Sequence, residues 1–177
     1  MEDKKYFKQF DIKFGTLAVG YHQQEVEVNQ SFFEKHNNEQ VTDATIIIKI
    51  DIDRKENIIS LDFNIEGTII SYCDLCLEEL IIPVAKHEIL ILKIVKESQE
   101  SDDESIVFLG EKEHLFNTEQ IINEFLMSLI PMRKTHQEIG EQSCNQHMLD
   151  LIEQVKVKSS PIADERWEAL KNIKLES

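Results

Sequence analysis

The sequence predicts an α+β fold, with an antiparallel β-sheet in the N-terminal half followed by two or three packed α-helices. Two observations carry this. Up to residue 110 apolar side chains recur at every second position, the period of a strand with one buried face. From Asn117 onward they recur three and four residues apart, the spacing of an amphipathic helix. The chain of 177 residues, 41% apolar and 30% charged, suits one globular domain over 1–177, with strands mainly in 1–110 and helices mainly in 117–177.

The elements follow in order. Phe10, Ile12 and Phe14 alternate with polar residues, as do Val26 and Val28 after Tyr21, and Gly15 and Gly20 bracket a turn or bulge between them. Ser31 to His36 reads as one helical turn with Ser31 as its N-cap. Thr45 to Asp51, Ile58 to Ile65 and Gly67 to Tyr72 are rich in Ile and Phe at period two, and 53–57 joins the first two as a hairpin. Ile81 to Val95 continues the pattern, with Pro83 near its start, where a missing N–H is tolerated. Ile106 to Leu109 adds a short strand after the acidic loop 98–104, for a sheet of five to seven strands. Asn117 and Gln120 form a capping pair for a helix whose stripe is Ile121, Ile122, Phe125, Leu126, Leu129 and Ile130, and Pro131 ends it. Met148, Leu151, Ile152 and Val155 place a second stripe after Cys144, also expected in the core. Ser159-Ser160-Pro161 breaks the chain before a last helix over 164–173, with Trp167, Leu170 and Ile173 on one side.

Composition excludes several function classes. The formal charge of −15, from 34 acidic and 19 basic residues, opposes broad coating of nucleic acid, which is driven by counterion release from a basic face. The longest apolar runs, such as Ile46 to Ile48 and Ile89 to Leu92, are too short to span a bilayer, so no membrane role is expected. Met1 to Tyr6 lacks the apolar core of a secretory signal, and three cysteines do not make a disulfide framework, so the cytoplasm is the expected setting. No Gly-rich phosphate loop, nucleophile elbow or His-Glu-x-x-His helix is present. The chain therefore reads as a non-enzyme without a small-molecule substrate.

The chemistry lies in the cysteines. Cys73 and Cys76 stand at the end of a strand entering a turn, a spacing that lets both sulfurs face one ion. Tetrahedral zinc needs four ligands, and the connection from Pro131 to Cys144 is long enough to fold back and supply His136 and Cys144. The result is a Cys₃His set of Cys73, Cys76, His136 and Cys144 holding a structural Zn²⁺, with no open position for a catalytic water. His147 is the substitute fourth ligand, whereas His22, His36, His87 and His114 read as surface or strand residues. Two other readings stand beside this one. The cysteines could be core residues of a metal-free protein-interaction module, or Cys73 and Cys76 could form a thiol oxidoreductase pair.

The segment from Gly67 to Glu78, with Cys73-Asp74-Leu75-Cys76-Leu77-Glu78 inside it, resembles the Cys-Asp-Arg-Cys-Leu-Glu signature of the YceD family, the large ribosomal RNA subunit accumulation proteins. Ser31-Phe32-Phe33-Glu34, the run from Leu129 to His136, Cys144-Asn145 and the run from Asp164 to Leu170 are similar to the Bacteroidetes-type branch of that family. Two positions depart from it: Leu75 replaces a common arginine, and Glu165 replaces a common proline. The resemblance implies a ribosome biogenesis factor that promotes accumulation or processing of 23S ribosomal RNA. It implies a metal-binding and nucleic-acid-binding protein whose partner is a large-subunit pre-ribosomal particle, met through rRNA or through a basic ribosomal protein. Catalysis is not implied. If RNA is touched directly, the local positive groups are Arg133, Lys134, Lys156, Lys158 and Arg166.

Overall fold

A computed structural model of the chain describes residues 5–96, 103, 105–140 and 143–156. The chain divides into two compact units after Cys144, and 145–156 are the described part of the second. The break at 159–161, the helix expected over 164–173 and most of the acidic loop lie outside the described residues.

The first unit is built on a five-stranded sheet of β2 (Gly20–Asn29), β3 (Asp43–Arg54), β4 (Ile58–Tyr72), β5 (Glu79–Val95) and β6 (Ile106–Gly110), in that spatial order. Its strands pair antiparallel from β2 to β5. The last pair is the exception in the expected antiparallel sheet. Strands β5 and β6 run the same way, with Ile91 opposite Ile106 and Val95 opposite Gly110, an arrangement that a tight hairpin turn cannot make. A separate two-stranded ladder pairs β1 (Asp11–Ile12) with β7 (Phe116–Asn117).

Alternation decides which face of the sheet is buried. Ile46, Ile48, Ile50 and Ile52 on β3 and Ile59, Leu61, Phe63 and Ile65 on β4 all point inward. Fully burying such a side chain contributes about 1.5–3 kcal/mol, so this face organises the unit. The helices cover it. Helix α1 (Gln30–Lys35) inserts Phe32 and Phe33, and α2 (Glu119–Leu129) inserts Ile122 and Leu126, with Phe125 edge-on to Phe63 at 5.4 Å between ring centroids. The opposite face of the sheet carries the polar residues.

Several local readings are corrected. Phe10, Ile12 and Phe14 are buried as their alternation implies, yet only Asp11 and Ile12 form a strand, because their partner β7 is two residues long. Phe7–Phe10 is a 3-10 turn. The cap of α1 is Asn29, whose side chain accepts from the Ser31 N–H, and not Ser31 itself. The cap position of α2 is Thr118 and not Asn117, whose side chain accepts from the Glu119 N–H one residue before the cap, and Gln120 bonds to Glu124 instead of returning to either. A short helix, α3 (His136–Ile139), lies within the polar connection. Helix α4 (Gln146–Val155), in the second unit, is capped by the Asn145 side chain, and none of its residues is buried. Leu151 and Val155, expected in the core, are 40% and 76% exposed. Among the described residues no helix is long and apolar enough to cross a membrane.

The two strands expected over Ile58–Ile65 and Gly67–Tyr72 are one strand, β4, because Gly67 does not break it. Gly67 lies opposite Ile46, with φ +156°. A Cβ there would strike the Thr45 carbonyl oxygen and lie 2.6 Å from the Ile46 Cα. Glycine is therefore required by the close approach of β3, whereas Gly20, at φ +130°, has open space around its missing side chain. Gly67→Ala is expected to lower the unfolding free energy by about 3 kcal/mol, from overpacking and backbone strain together, and Gly20→Ala by about 1 kcal/mol from strain alone. Urea titration of the two variants checks the difference; equal losses would mean that the approach of β3 at Gly67 carries no cost.

Candidate metal centre

The β4–β5 hairpin turns at 73–78, and its geometry sets the direction of two sulfurs. The Cys73 N–H donates to the Glu78 carbonyl at 2.8 Å, and the Leu77 N–H donates to the Cys73 carbonyl at 2.9 Å. Leu77 completes the reversal in the left-handed region, at φ 60°. A leucine pays about 1 kcal/mol for that conformation, which the two backbone bonds hold in place. Inside the turn the Leu75 N–H points at Cys73 Sγ, 3.4 Å away. Cys73 and Cys76 are both buried.

The rest of the site comes from the segment after α2. The Asp74 N–H donates to the Lys134 carbonyl at 2.6 Å, and the Lys134 N–H donates to Asp74 Oδ2, also at 2.6 Å. The Lys134 ammonium is 3.5 Å from Asp74 Oδ1 and donates to Gln40 Oε1 at 3.2 Å. Lys134 is thus buried and paired, which corrects its reading as a free basic group for RNA. Thr135 then starts α3, its hydroxyl oxygen accepting from the Glu138 N–H, and Gly140 ends it at φ 86°. His136, at the first position of that helix, is buried against the hairpin.

The His136 ring is oriented by backbone. Its Nε2 lies 3.1 Å from the Glu79 carbonyl oxygen, which can only accept, so Nε2 carries the proton. Nδ1 keeps its lone pair and faces Cys76 Sγ at 3.4 Å. Cys144, also buried, brings its sulfur to 3.8 Å from Cys73 Sγ. All four ligand atoms of Cys73, Cys76, His136 and Cys144 lie within 4.8 Å of one another.

This arrangement fits a small tetrahedral cation. Bond lengths of ~2.3 Å to sulfur and ~2.0 Å to nitrogen set tetrahedral edges of ~3.8 Å between sulfurs and ~3.5 Å between sulfur and nitrogen. The observed 3.8 and 3.4 Å match both. A disulfide would need sulfurs ~2.05 Å apart, and the three cysteines are free. The carbonyl behind His136 is the outer support that metal-binding imidazoles ordinarily have.

The electrostatics are uneven across the cluster. Burial pushes the Cys73 thiol up, but the backbone N–H groups of Cys76, Leu75 and His136 and the Cys76 side chain outweigh it and bring Cys73 down to about 6. Cys144 is raised to about 11 by burial, by hydrogen bonding to Cys73 and Cys76, and by their negative charge. One sulfur is therefore prepared as a thiolate while another resists a second and third charge. A cation would remove that conflict.

Among the described residues the cluster includes no other histidine. His147 is exposed on α4, His114 is exposed, and His22 bonds to the Ala18 carbonyl at 2.8 Å. His36 lies 3.2 Å from Glu119, and His87 lies 2.7 Å from Asp62. Of the basic groups named from the sequence, Arg133 is exposed and 3.4 Å from Glu138, Lys156 bonds to Glu153 at 2.7 Å, and Lys158 and Arg166 lie outside the described residues. Sequence reasoning missed Asp74, Lys134, Thr135 and the Glu79 carbonyl, the groups that aim the cluster. Asp74 stood in plain sight between the cysteines, but its partner lies 60 residues away.

A family model described as "Large ribosomal RNA subunit accumulation protein YceD" matches residues 61–174, well over half of the chain, and spans all four residues of the cluster. Neither the curated proteins nor the solved structures yielded a significant match. Strand β4 from Leu61 onward, the cysteine turn, helix α2 and the His136–Cys144 segment fall within the matched span, and the chain belongs to the YceD family of large ribosomal RNA subunit accumulation proteins.

Proposed function

We propose that this chain is a non-enzymatic ribosome biogenesis factor, working in the cytoplasm, that promotes accumulation of 23S rRNA by engaging a precursor of the large ribosomal subunit. Membership of the YceD family carries this reading. Within it, Cys73, Cys76, His136 and Cys144 hold a structural Zn²⁺. Thiolates and imidazole favour zinc over the hard cations Mg²⁺ and Ca²⁺, which take oxygen ligands. When bound, the ion supplies a fourfold cross-link and no reaction, because the protein itself provides all four ligands. His136 would present Nδ1 with its proton held on the far nitrogen, and the Asp74–Lys134 pair would keep the two halves in register.

The redox reading is less well supported by the geometry. A working dithiol needs an accessible thiolate. Cys73 and Cys76 are 0% and 2% exposed, and Cys73 Sγ lies 3.8 Å from the sulfur of a third cysteine, Cys144.

Protein purified without chelator is expected to carry close to one zinc per chain by plasma mass spectrometry, and His136→Ala and Cys76→Ser to lose it. With free zinc a thousandfold above Kd, the ion adds about 4 kcal/mol, a Tm difference of about 10 °C between loaded and chelated protein. A chelated protein that melts unchanged would remove the structural role. Sedimentation of lysate containing tagged protein tests the assembly role: the tag is expected with pre-large-subunit particles and 23S rRNA to fall on deletion. Absence from every such particle, with normal rRNA, would overturn it.

Thiol titration of the chelated protein tests the electrostatics. One thiolate is expected to form near pH 6 by ultraviolet absorbance, lost in Cys73→Ser, and another near pH 11, lost in Cys144→Ser. The sign for stability follows. Between about pH 6 and the ~8.5 of an unfolded cysteine, the unfolded chain holds a proton that folded Cys73 does not. Cys73 therefore stabilises the chelated fold increasingly as pH rises through that window, and the contribution is lost as pH falls through 6. Cys144 acts oppositely above ~8.5, where the unfolded thiol loses its proton first. Urea midpoints that stay flat from pH 6 to 8 in both wild type and Cys73→Ser would contradict this.

A further inference from the structure

We infer that the outward face of the β2–β5 sheet is a docking surface for a lysine- and arginine-rich polypeptide segment of a partner protein. The inference gives the assembly reading a partner class and rests on it only for the biological setting. Register puts Glu25 and Glu27 of β2, Asp43 and Asp51 of β3, and Asp62 and Glu66 of β4 on this one face. Against them stand Lys49 of β3 and Lys93 of β5 in the same outward set. No ion pair joins Glu25, Glu27 or Glu66 to a cation among the described residues.

One pair goes beyond ordinary surface polarity. Asp51 and Asp62 are direct cross-strand partners, and like charges so placed destabilise a sheet. Each has a neighbour: the Gln23 amide donates to Asp51 at 2.8 Å, and His87 Nε2 lies 2.7 Å from Asp62. The amide carries no charge, and the imidazole offsets Asp62 only when protonated. Folding alone would favour a lysine or threonine at one of these positions. A cationic partner laid across them would convert the repulsion into attraction.

The same face offers apolar contact. Ile47 lies between Glu27 and Glu66 in the ladder and is 44% exposed, and Ile89, opposite Asp62, is 47% exposed. A groove of about 440 Å³ opens over β2, β3 and β4, lined by Glu25, Ile47, Lys49, Asn64, Glu66 and Gly67. Carboxylates around exposed isoleucines suit an extended segment in which basic side chains alternate with small or apolar ones. RNA and a second copy of this chain would both bring negative charge to the face, and charge complementarity rejects them.

The test uses the full-length protein and a fluorescent peptide of about ten residues, alternately lysine and threonine, to match the run of β3. Binding is expected at low salt and to weaken as salt rises. Glu25→Gln, Asp51→Asn and Glu66→Gln together are expected to weaken it about tenfold, the summed effect of three exposed ion pairs. The same charge removed elsewhere, by Glu39→Gln, Glu111→Gln and Glu124→Gln, is expected to change affinity less than about twofold. Asp51→Asn alone should raise the Tm of the free protein by about 2 °C while weakening the peptide, a combination that a purely structural role would not produce. Equal loss in the two triple variants, no peptide binding, or single-stranded RNA competing for the face would each overturn the inference. None of these outcomes alters the sedimentation result that tests the assembly reading.

Discussion

The cysteine cluster depends on one reciprocal contact, the pair of backbone-anchored hydrogen bonds between Asp74 and Lys134, each 2.6 Å long. A hairpin tip can aim two sulfurs by itself, but nothing within β4 and β5 brings a third or fourth ligand to it. Lys134 stands two residues before His136, so fixing its backbone on Asp74 fixes where the imidazole arrives. Thr135 then caps the single turn that carries His136, and the Glu79 carbonyl sets the ring. The contact is local in space and remote in sequence. That is why a metal at this site would cross-link the β4–β5 hairpin tip to the C-terminal end of the first unit instead of merely tightening a loop.

Much of the fold was legible because burial imposes a period. The inward isoleucines of β3 and the stripe of α2 announced themselves, since one face of each had to leave water. Where the reading failed, a tertiary contact had overridden a local signal. Gly67 looked like a strand break because glycine weakens strands, yet it is needed where the β3 backbone comes closest. Asn29 displaced Ser31 as a cap because β2 runs directly into α1, so the Ser31 N–H is itself in the first turn and is met by the Asn29 side chain two residues earlier. The stripe of α4 had the right spacing for a core and is not buried, since periodicity states which residues share a face and not what covers it.

The cluster shows the same division. Cysteine spacing and the scarcity of other ligands were enough to single out Cys73, Cys76, His136 and Cys144, the residues the fold brings together. Their tautomer and ionisation were not legible. They are set by the carbonyl of Glu79 and by backbone N–H groups, which every residue possesses and no sequence pattern marks. The same holds for Lys134, whose charge suggested a nucleic-acid contact until its ammonium was found turned inward to Asp74 and Gln40.

That inward turn bears on the protein's net charge of −15. Three thiolates, one neutral imidazole and Zn²⁺ would sum to −1, so a loaded site would add no positive potential to its surroundings. The adjacent Lys134 is already paired, and Arg133 lies beside Glu138. The surroundings of the cysteine cluster are therefore poorly equipped to hold a phosphate backbone by charge. Meanwhile the outward sheet face keeps carboxylates opposite one another at Asp51 and Asp62, an arrangement that costs stability in the free protein. Both observations point the same way. On the proposed reading, in which the chain engages a particle of polyanionic RNA and basic proteins, its charge suits the proteins, and the cysteine cluster would hold the fold that presents the face.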